Sequence, residues 1–482
     1  MFLDRLEKEL NYTETANGAK ANKSTLDSGL DLFGQIGACR ENLQKAQDLF
    51  MRAYGDNPLL ALKILFWARD IRGGQGERKV FRHLLRTLAE KNFKVVNQLV
   101  PFVPEFGRWD DLLCLDETEC WNTVLDLYSK QLSQDLRSQG EVSLLAKWLP
   151  SVNTSSQKSR KLGRKIAKYL EYSEKTYRKT LSQLRSKIKI VEQKMCANEW
   201  NEINYSQVPS RASLMYRNSF RSHDGKRYSQ FLSDVAEGKA KINASTLYPY
   251  DIVRQVWESD DSLDVLWDNL PNYLENTEGF NGLVVADVSG SMLCANNGLP
   301  LYVSISLALY ISERNTSEVW KNKFLTFSQD PNLVMVRGGN ICEKVKNLSR
   351  ADWGMNTNLM RTFEVILKVA VENSVPAEEM PQKLIIVSDM EFDVAVPDND
   401  LTNFEKISQM FSEKGYKVPQ LVFWNVNAGN TVPITKHDTG TCLISGCSPS
   451  LLKSVLGDLD PVKVMLSEVE AERYQVLNNL EF

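Results

Sequence analysis

A chain of 482 residues, 43% hydrophobic and 25% charged, is long enough for two or three domains with their own cores and too apolar to stay disordered. Its net charge of −3 conceals an asymmetry: residues 1–144 carry −2, residues 145–245 carry +13, and residues 246–482 carry −14. The charged start, Met1-Phe2-Leu3-Asp4-Arg5-Leu6-Glu7-Lys8, argues against a secretory signal, and no uninterrupted apolar run approaches the ~20 residues of a membrane-spanning helix.

Eight scattered cysteines with no Cys-x-x-Cys pair are expected to be reduced, mostly buried thiols in a cytoplasmic protein. Residues 11–25 read as a polar, loosely ordered segment. From 39 to 193 apolar residues recur at helical spacing with short breaks. Leu59, Leu62, Leu65, Phe66 and Ile71 mark one helix, which the glycines at 73, 74 and 76 should end. Val80, Phe81, Leu84, Leu85 and Leu88 mark the next, with Glu77 favouring its start. Val124, Leu125, Leu127, Tyr128 and Leu132 continue the pattern, followed by Leu144, Leu145 and Trp148. Antiparallel helix pairs stacked as in a HEAT or armadillo array would bury these stripes, although no internal repeat stands out. The loop Arg72-Gly73-Gly74-Gln75-Gly76-Glu77-Arg78 follows a helix and lacks the Walker pattern, so it is no phosphate loop. Arg69, Arg72 and Arg78 remain candidates for touching phosphate.

Lys158, Lys161, Lys165 and Lys168 fall on one helical stripe, with Arg160 and Arg164 beside it and Leu162, Ile166 and Leu170 on another face. Lys175, Arg178, Lys179, Arg185, Lys187 and Lys189 carry the charge into a second helix, so residues 158–189 hold 12 Lys and Arg against 2 Asp and Glu. Such a surface binds phosphates through counterion release with little sequence preference. Tyr169, Tyr172 and Tyr177 are placed either to stack on bases or to pack between the helices. A solvated helix face, or a dock for the chain's own acidic half, would use the same residues.

From about 280 the pattern turns to strand–helix alternation. Strands are expected at 282–286, 324–327, 333–336, 384–387, 421–424 and 441–444, and helices at 299–313, 358–371, 401–413 and 449–456. This pattern predicts a doubly wound, mostly parallel sheet with helices on both faces, whose ligands bind beyond the carboxyl ends of the strands. Asp287-Val288-Ser289-Gly290-Ser291-Met292 directly follows the first of these strands. One carboxylate and two hydroxyls at alternate positions can converge on Mg²⁺ or Mn²⁺, which takes oxygen ligands and keeps waters when the protein supplies few. The motif resembles the metal-ion-dependent adhesion site of von Willebrand A domains, Asp-x-Ser-x-Ser. That site also draws a Thr from a later loop and an Asp beyond a further strand, which the resemblance places at Thr357 and Asp389. By chance the short motif arises in roughly one chain in ten of this length, so the order and spacing of all five residues carry the reading. Asn356 and Met390 stand where many relatives have Gly.

No serine or cysteine sits in a nucleophile-elbow setting, and His83, His223 and His437 have no such partner. Glu391 and Asp393 read as carboxylates that support the ligands around Asp389 from behind or stand at the rim of the site. Ligands that are mainly neutral hydroxyls favour holding a ligand over chemistry, so no enzyme activity is expected.

The strings Trp67-Ala68-Arg69-Asp70-Ile71-Arg72-Gly73-Gly74, Lys147-Trp148-Leu149-Pro150-Ser151 and Ala240-Lys241-Ile242-Asn243-Ala244-Ser245-Thr246-Leu247-Tyr248-Pro249 resemble domain-of-unknown-function family 2828. More distantly the layout is similar to the Ro ribonucleoproteins, whose TROVE module is a ring of HEAT-like helical repeats closed by a von Willebrand A domain. That resemblance implies a helical-repeat module over 1–275, a von Willebrand A domain over 276–460, and a C-terminal helix over 461–482 packing back on the helices. It further implies small non-coding or single-stranded RNA as a partner, with no membrane. The competing expectation is a protein-interaction scaffold, in which a partner's carboxylate completes the metal shell.

Overall fold

The computed structural model describes residues 2–188, 190–256, 260–275, 280–327, 331–349, 358–393 and 403–482. Several helices begin where the sequence supplies a cap. Asn57 stands in extended conformation before Pro58–Arg69 and its side chain accepts from Leu60 N at 3.0 Å, while Pro58 lacks only an N–H that has no partner in a first turn. The helix stops at a tight reversal: a Cβ on Gly74 would lie 1.8 Å from Trp67 O, and Gly76 takes φ +66°. Gln75 N and Glu77 N then bond Trp67 O and Ala68 O. Glu77 precedes the next helix, Arg78–Lys91, without capping it. Its buried carboxylate holds Arg40 instead, at 2.5–2.8 Å, because a buried charge is worth more paired than capping.

Consecutive helices pack on near neighbours through Trp121–Arg137, Gln157–Tyr169, Glu174–Ile188, Ser210–Ala236, Pro249–Val253 and Asp261–Asp268. Segment 11–25 departs from the expected loose chain. β1 (Tyr12–Glu14) and β2 (Lys20–Asn22) pair antiparallel around Gly18 at φ +82°. Three-residue strands are too short for a periodicity signal, and some of their polar groups bond the distant C-terminal half, as Tyr12 Oη does Glu405 and the Asn22 backbone does Val432.

The strands expected after 280 all form, each within one residue of its expected limits: β3 (Gly282–Asp287), β4 (Lys323–Phe327), β5 (Asn332–Met335), β6 (Lys383–Ser388), β7 (Gln420–Asn425) and β8 (Thr441–Ser445). The sheet order is β5-β4-β3-β6-β7-β8, parallel throughout except for the antiparallel edge pair β4–β5. Helices Leu299–Arg314, Leu359–Glu372 and Asn403–Glu413 alternate with them, while Pro449–Val455 is a 3₁₀ turn rather than an α-helix. Residues 401–402 of the expected third helix lie outside the described residues.

The period-2 alternation of the strands assigns two faces. Leu283, Val285, Leu384, Ile386, Leu421, Phe423 and Leu443 pack with Phe363 and Phe411. Val284, Ala286, Ile385, Val387, Val422, Trp424, Cys442 and Ile444 join Leu299–Arg314 and the N-terminal helices, so one core runs through both halves. By length and composition alone Gly290–Arg314 would pass for a membrane span, against the reading of the sequence. Within the fold Val303, Leu307, Ala308, Leu309, Tyr310 and Ile311 are buried, which accounts for the apolarity.

Both ends of the helical half meet this unit. Pro249–Val253 packs on Leu299–Arg314, and Tyr248 Oη donates to Gln75 O at 2.7 Å, tying late helices to early ones. The C-terminal helix Pro461–Val469 and the 3₁₀ turn Glu472–Asn479 lie on Pro58–Arg69. There Lys63 meets Glu470 at 2.5 Å, Trp67 donates to Glu468 at 3.1 Å, and fully buried Asp70 takes both Arg473 and the Tyr474 hydroxyl.

Candidate metal centre and basic surface

Asp287 ends β3 and Asp389 follows β6, its parallel neighbour, so the register sets the two carboxylates at the same edge. Asp287 is fully buried and Asp389 nearly so. Asp287 accepts Ser289 N at 2.9 Å and the Ser388 hydroxyl at 2.6 Å. Ser289 and Ser291 hydroxyls lie 3.0 Å apart, and Ser291 is near enough to Asp389 to favour its charged form. Two carboxylates and two hydroxyls thereby converge on one point, and Ser291 opens it to solvent. Thr357, with the loop that carries it, lies outside the described residues.

The electrostatics follow from the crowding. Burial, and next the negative charge of Asp389, push the Asp287 carboxyl up to about 7, against the hydrogen bonds from Ser388 and Ser289. Burial likewise raises Asp389. Two like charges out of water are a cost that a cation between them removes. The donor set fits a hard divalent cation and not zinc. Among the described residues no three His, Cys, Asp or Glu side chains gather to hold a metal; the oxygen donors brought together here are two carboxylates and two hydroxyls. Ser388 escaped the sequence reading, though its place beside Asp287 in the parallel register was its available signal.

Met390 adopts φ +67°, a left-handed conformation that glycine would take without strain. Glu391 is not a free rim carboxylate. Its Oε2 accepts Ala16 N at 2.7 Å, and its carbonyl accepts Asn17 Nδ2 at 2.7 Å.

The basic stretch divides into two classes. Lys165 is committed to Asp116 (2.8 Å) and Glu117 (3.2 Å), Lys161 faces Glu117 at 3.8 Å, and Arg164 holds Glu174 at 2.9 Å. Arg185 donates to the carbonyls of Ala146 and Leu149, and Lys187 to that of Ser138, so both serve the fold. Tyr177 is buried and donates to Pro150 O, which removes it as a stacking platform; exposed Tyr169 is bonded to Asp126. Lys158, Arg160, Lys168, Lys175, Arg178 and Lys179 have no carboxylate within 4 Å among the described residues, and all but Arg160 are exposed. Lys189 lies outside them. Arg69 corrects the expectation for the glycine loop: it is buried and paired with Asp111 at 2.6 Å, out of reach of any phosphate.

Residues 15–96 and 118–278 match the family model "Domain of unknown function (DUF2828)". The chain belongs to that family. Residues 281–478 match a second model, "Domain of unknown function (DUF7788)", so the boundary between the two falls just before β3. An uncharacterized protein of Acanthamoeba polyphaga mimivirus is 29% identical over 506 residues, covering 95% of this chain and 87% of the relative. Among solved structures, the Ro (RSR) protein of Deinococcus radiodurans aligns with 93% of this chain and 99% of its own, at 13% identity and a TM-score of 0.36.

Proposed function

We propose that this DUF2828 protein is a non-catalytic binding protein that holds Mg²⁺ or Mn²⁺ at the carboxyl edge of its sheet and binds RNA on its basic helices. In this reading the α/β unit is a von Willebrand A domain and the helical half a HEAT-like module. The observation that carries it is the burial of Asp287 and Asp389 at one point among neutral hydroxyls. Asp287, Asp389, Ser289 and Ser291 would hold the cation, with Thr357 from the neighbouring loop, and Ser388 would orient Asp287. A bound cation supplies Lewis acidity and an open coordination position there. Hydroxyls make up half of the four side chains that meet here, and such neutral ligands favour capture of a ligand oxygen over hydrolysis.

RNA contact is assigned to Lys158, Arg160, Lys168, Lys175, Arg178 and Lys179, which have no carboxylate partner among the described residues. Fluorescence anisotropy with structured and single-stranded RNA across a salt series tests it. Lys158→Glu, Lys168→Glu and Lys175→Glu together should weaken binding to many sequences alike and flatten the salt dependence by about three ion equivalents. A second reading draws on the exposure of Ser291, Leu293 and Cys294 beside the buried carboxylates, which gives a partner protein's Asp or Glu a way to the cation. Absence of RNA binding at low salt by folded, monodisperse protein would select that scaffold role.

A further inference from the structure

We infer that the N-terminal hairpin is a working part of the cation site: by gripping Glu391 and the chain beside it, β1–β2 positions Asp389, so that cation binding and hairpin docking strengthen each other. The inference rests on reading Asp287 and Asp389 as ligands. Four consecutive hairpin residues meet three consecutive residues that begin two positions after Asp389. Thr15 Oγ1 donates to Phe392 O at 2.7 Å, Ala16 N to Glu391 Oε2 at 2.7 Å, Asn17 Nδ2 to Glu391 O at 2.7 Å, and Gly18 pairs with Asp393. On its far side Glu391 abuts Gly429, where an added Cβ would fall 1.8 Å from Oε1. The side chain is thus held between the hairpin turn and the Gly429 backbone.

The grip reaches the ligand directly. Glu391 N donates to Asp389 Oδ1 at 3.3 Å, and the one residue between them, Met390, sits at φ +67°, which an L side chain keeps only when both neighbours are fixed. Glu391 is therefore a positioning residue, acting through Asp389. The hairpin is suited to respond. Its strands are three residues each, too short to stand alone, so its order comes from docking. Its base is anchored independently, Asn22 exchanging backbone bonds with Val432 at 3.1 and 2.9 Å, which leaves the 15–18 turn to follow residues 391–393.

Linkage makes the coupling reciprocal, and couplings of this kind run from about 5- to 150-fold. With the full chain, hydrogen exchange of residues 11–25 should slow on the order of tenfold when Mn²⁺ replaces EDTA. Mn²⁺ titration of the Thr15→Val, Asn17→Ala double variant should show weaker affinity by a similar factor. Gly429→Ala, which dislodges Glu391 without touching hairpin or ligands, should do the same. If wild type binds Mn²⁺ while hairpin exchange is unchanged, the coupling is wrong and the cation reading stands, whatever the variants do. If folded wild type binds no Mn²⁺, both fall.

Discussion

Replacing Asp287 by Asn should raise the stability of the protein in EDTA and abolish its stabilisation by Mg²⁺. With no cation between them, Asp287 and Asp389 are buried like charges, and Asn removes one of the two. The exchange is nearly isosteric: Asn keeps the acceptor used by Ser289 N, and the Ser388 hydroxyl can turn to accept from the new amide. For wild type, free Mg²⁺ at 100 times Kd adds about 2.7 kcal/mol by mass action. A melting entropy of ~2.1 cal/mol/K per residue gives ~1 kcal/mol/K for a chain of this length, so Tm should rise by about 3 °C. The variant should start higher and not move. Differential scanning fluorimetry in EDTA and across a Mg²⁺ series reads both quantities. A variant that melts lower than wild type in EDTA, or that keeps the wild-type response, refutes Asp287 as a ligand at a charge-strained site.

Two further substitutions test the division between structural and exposed charge. Asp111→Ala strands Arg69, which is 1% exposed and loses its buried partner, and should cost about 3–5 kcal/mol in denaturant unfolding. On the basic face, Lys165→Glu breaks part-exposed pairs with Asp116 and Glu117, and should cost no more than about 1 kcal/mol while altering RNA affinity little. Lys168→Glu, at an unpaired position one turn away, should leave stability alone and lower the salt slope of RNA binding by about one; the same RNA titration separates the two.

The α/β half was legible because β3, β6, β7 and β8 are buried on both faces, which writes them as near-continuous apolar runs, and because Asp287 and Asp389 lie where two of those runs end. The helical stripes were legible for the same reason at the other period. What failed was everything decided by residues far apart in sequence. Glu77 reads locally as a helix start, yet Arg40 claims it. Lys165 reads as part of a phosphate-binding stripe, yet Asp116 lies opposite, 49 residues earlier. The hairpin's polar residues read as solvated chain, and their partners, Glu391 to Asp393, are some 375 positions away. Composition and period describe what an element wants to bury; they do not say which charge another element will bring to it.

The family models divide the chain just before β3, but the core does not divide there. Alternate residues on β3, β6, β7 and β8 face the same cluster as Phe33, Phe66 and Trp67. The approach is close at β8, where a Cβ on Gly34 would lie 2.8 Å from Leu443 and one on Gly37 2.5 Å from Ser445 O. The C-terminal tail then returns to cover Asp70 and Trp67. Cutting the chain at 280 would therefore strip the part of this sheet face that Leu299–Arg314 does not cover, and the Pro58–Arg69 helix, of their cover, exposing contiguous apolar surface on both pieces. Expressed separately, the two pieces should aggregate or bind a hydrophobic dye; co-expressed, they should reassemble into a complex that melts cooperatively. Two soluble, independently cooperative fragments would show that the shared core is a contact between finished domains. The candidate cation site would then still bind in the C-terminal fragment alone, weakened only by the loss of the hairpin that holds Asp389 through Glu391. If the core is continuous, that affinity is lost with the cut and returns on reassembly.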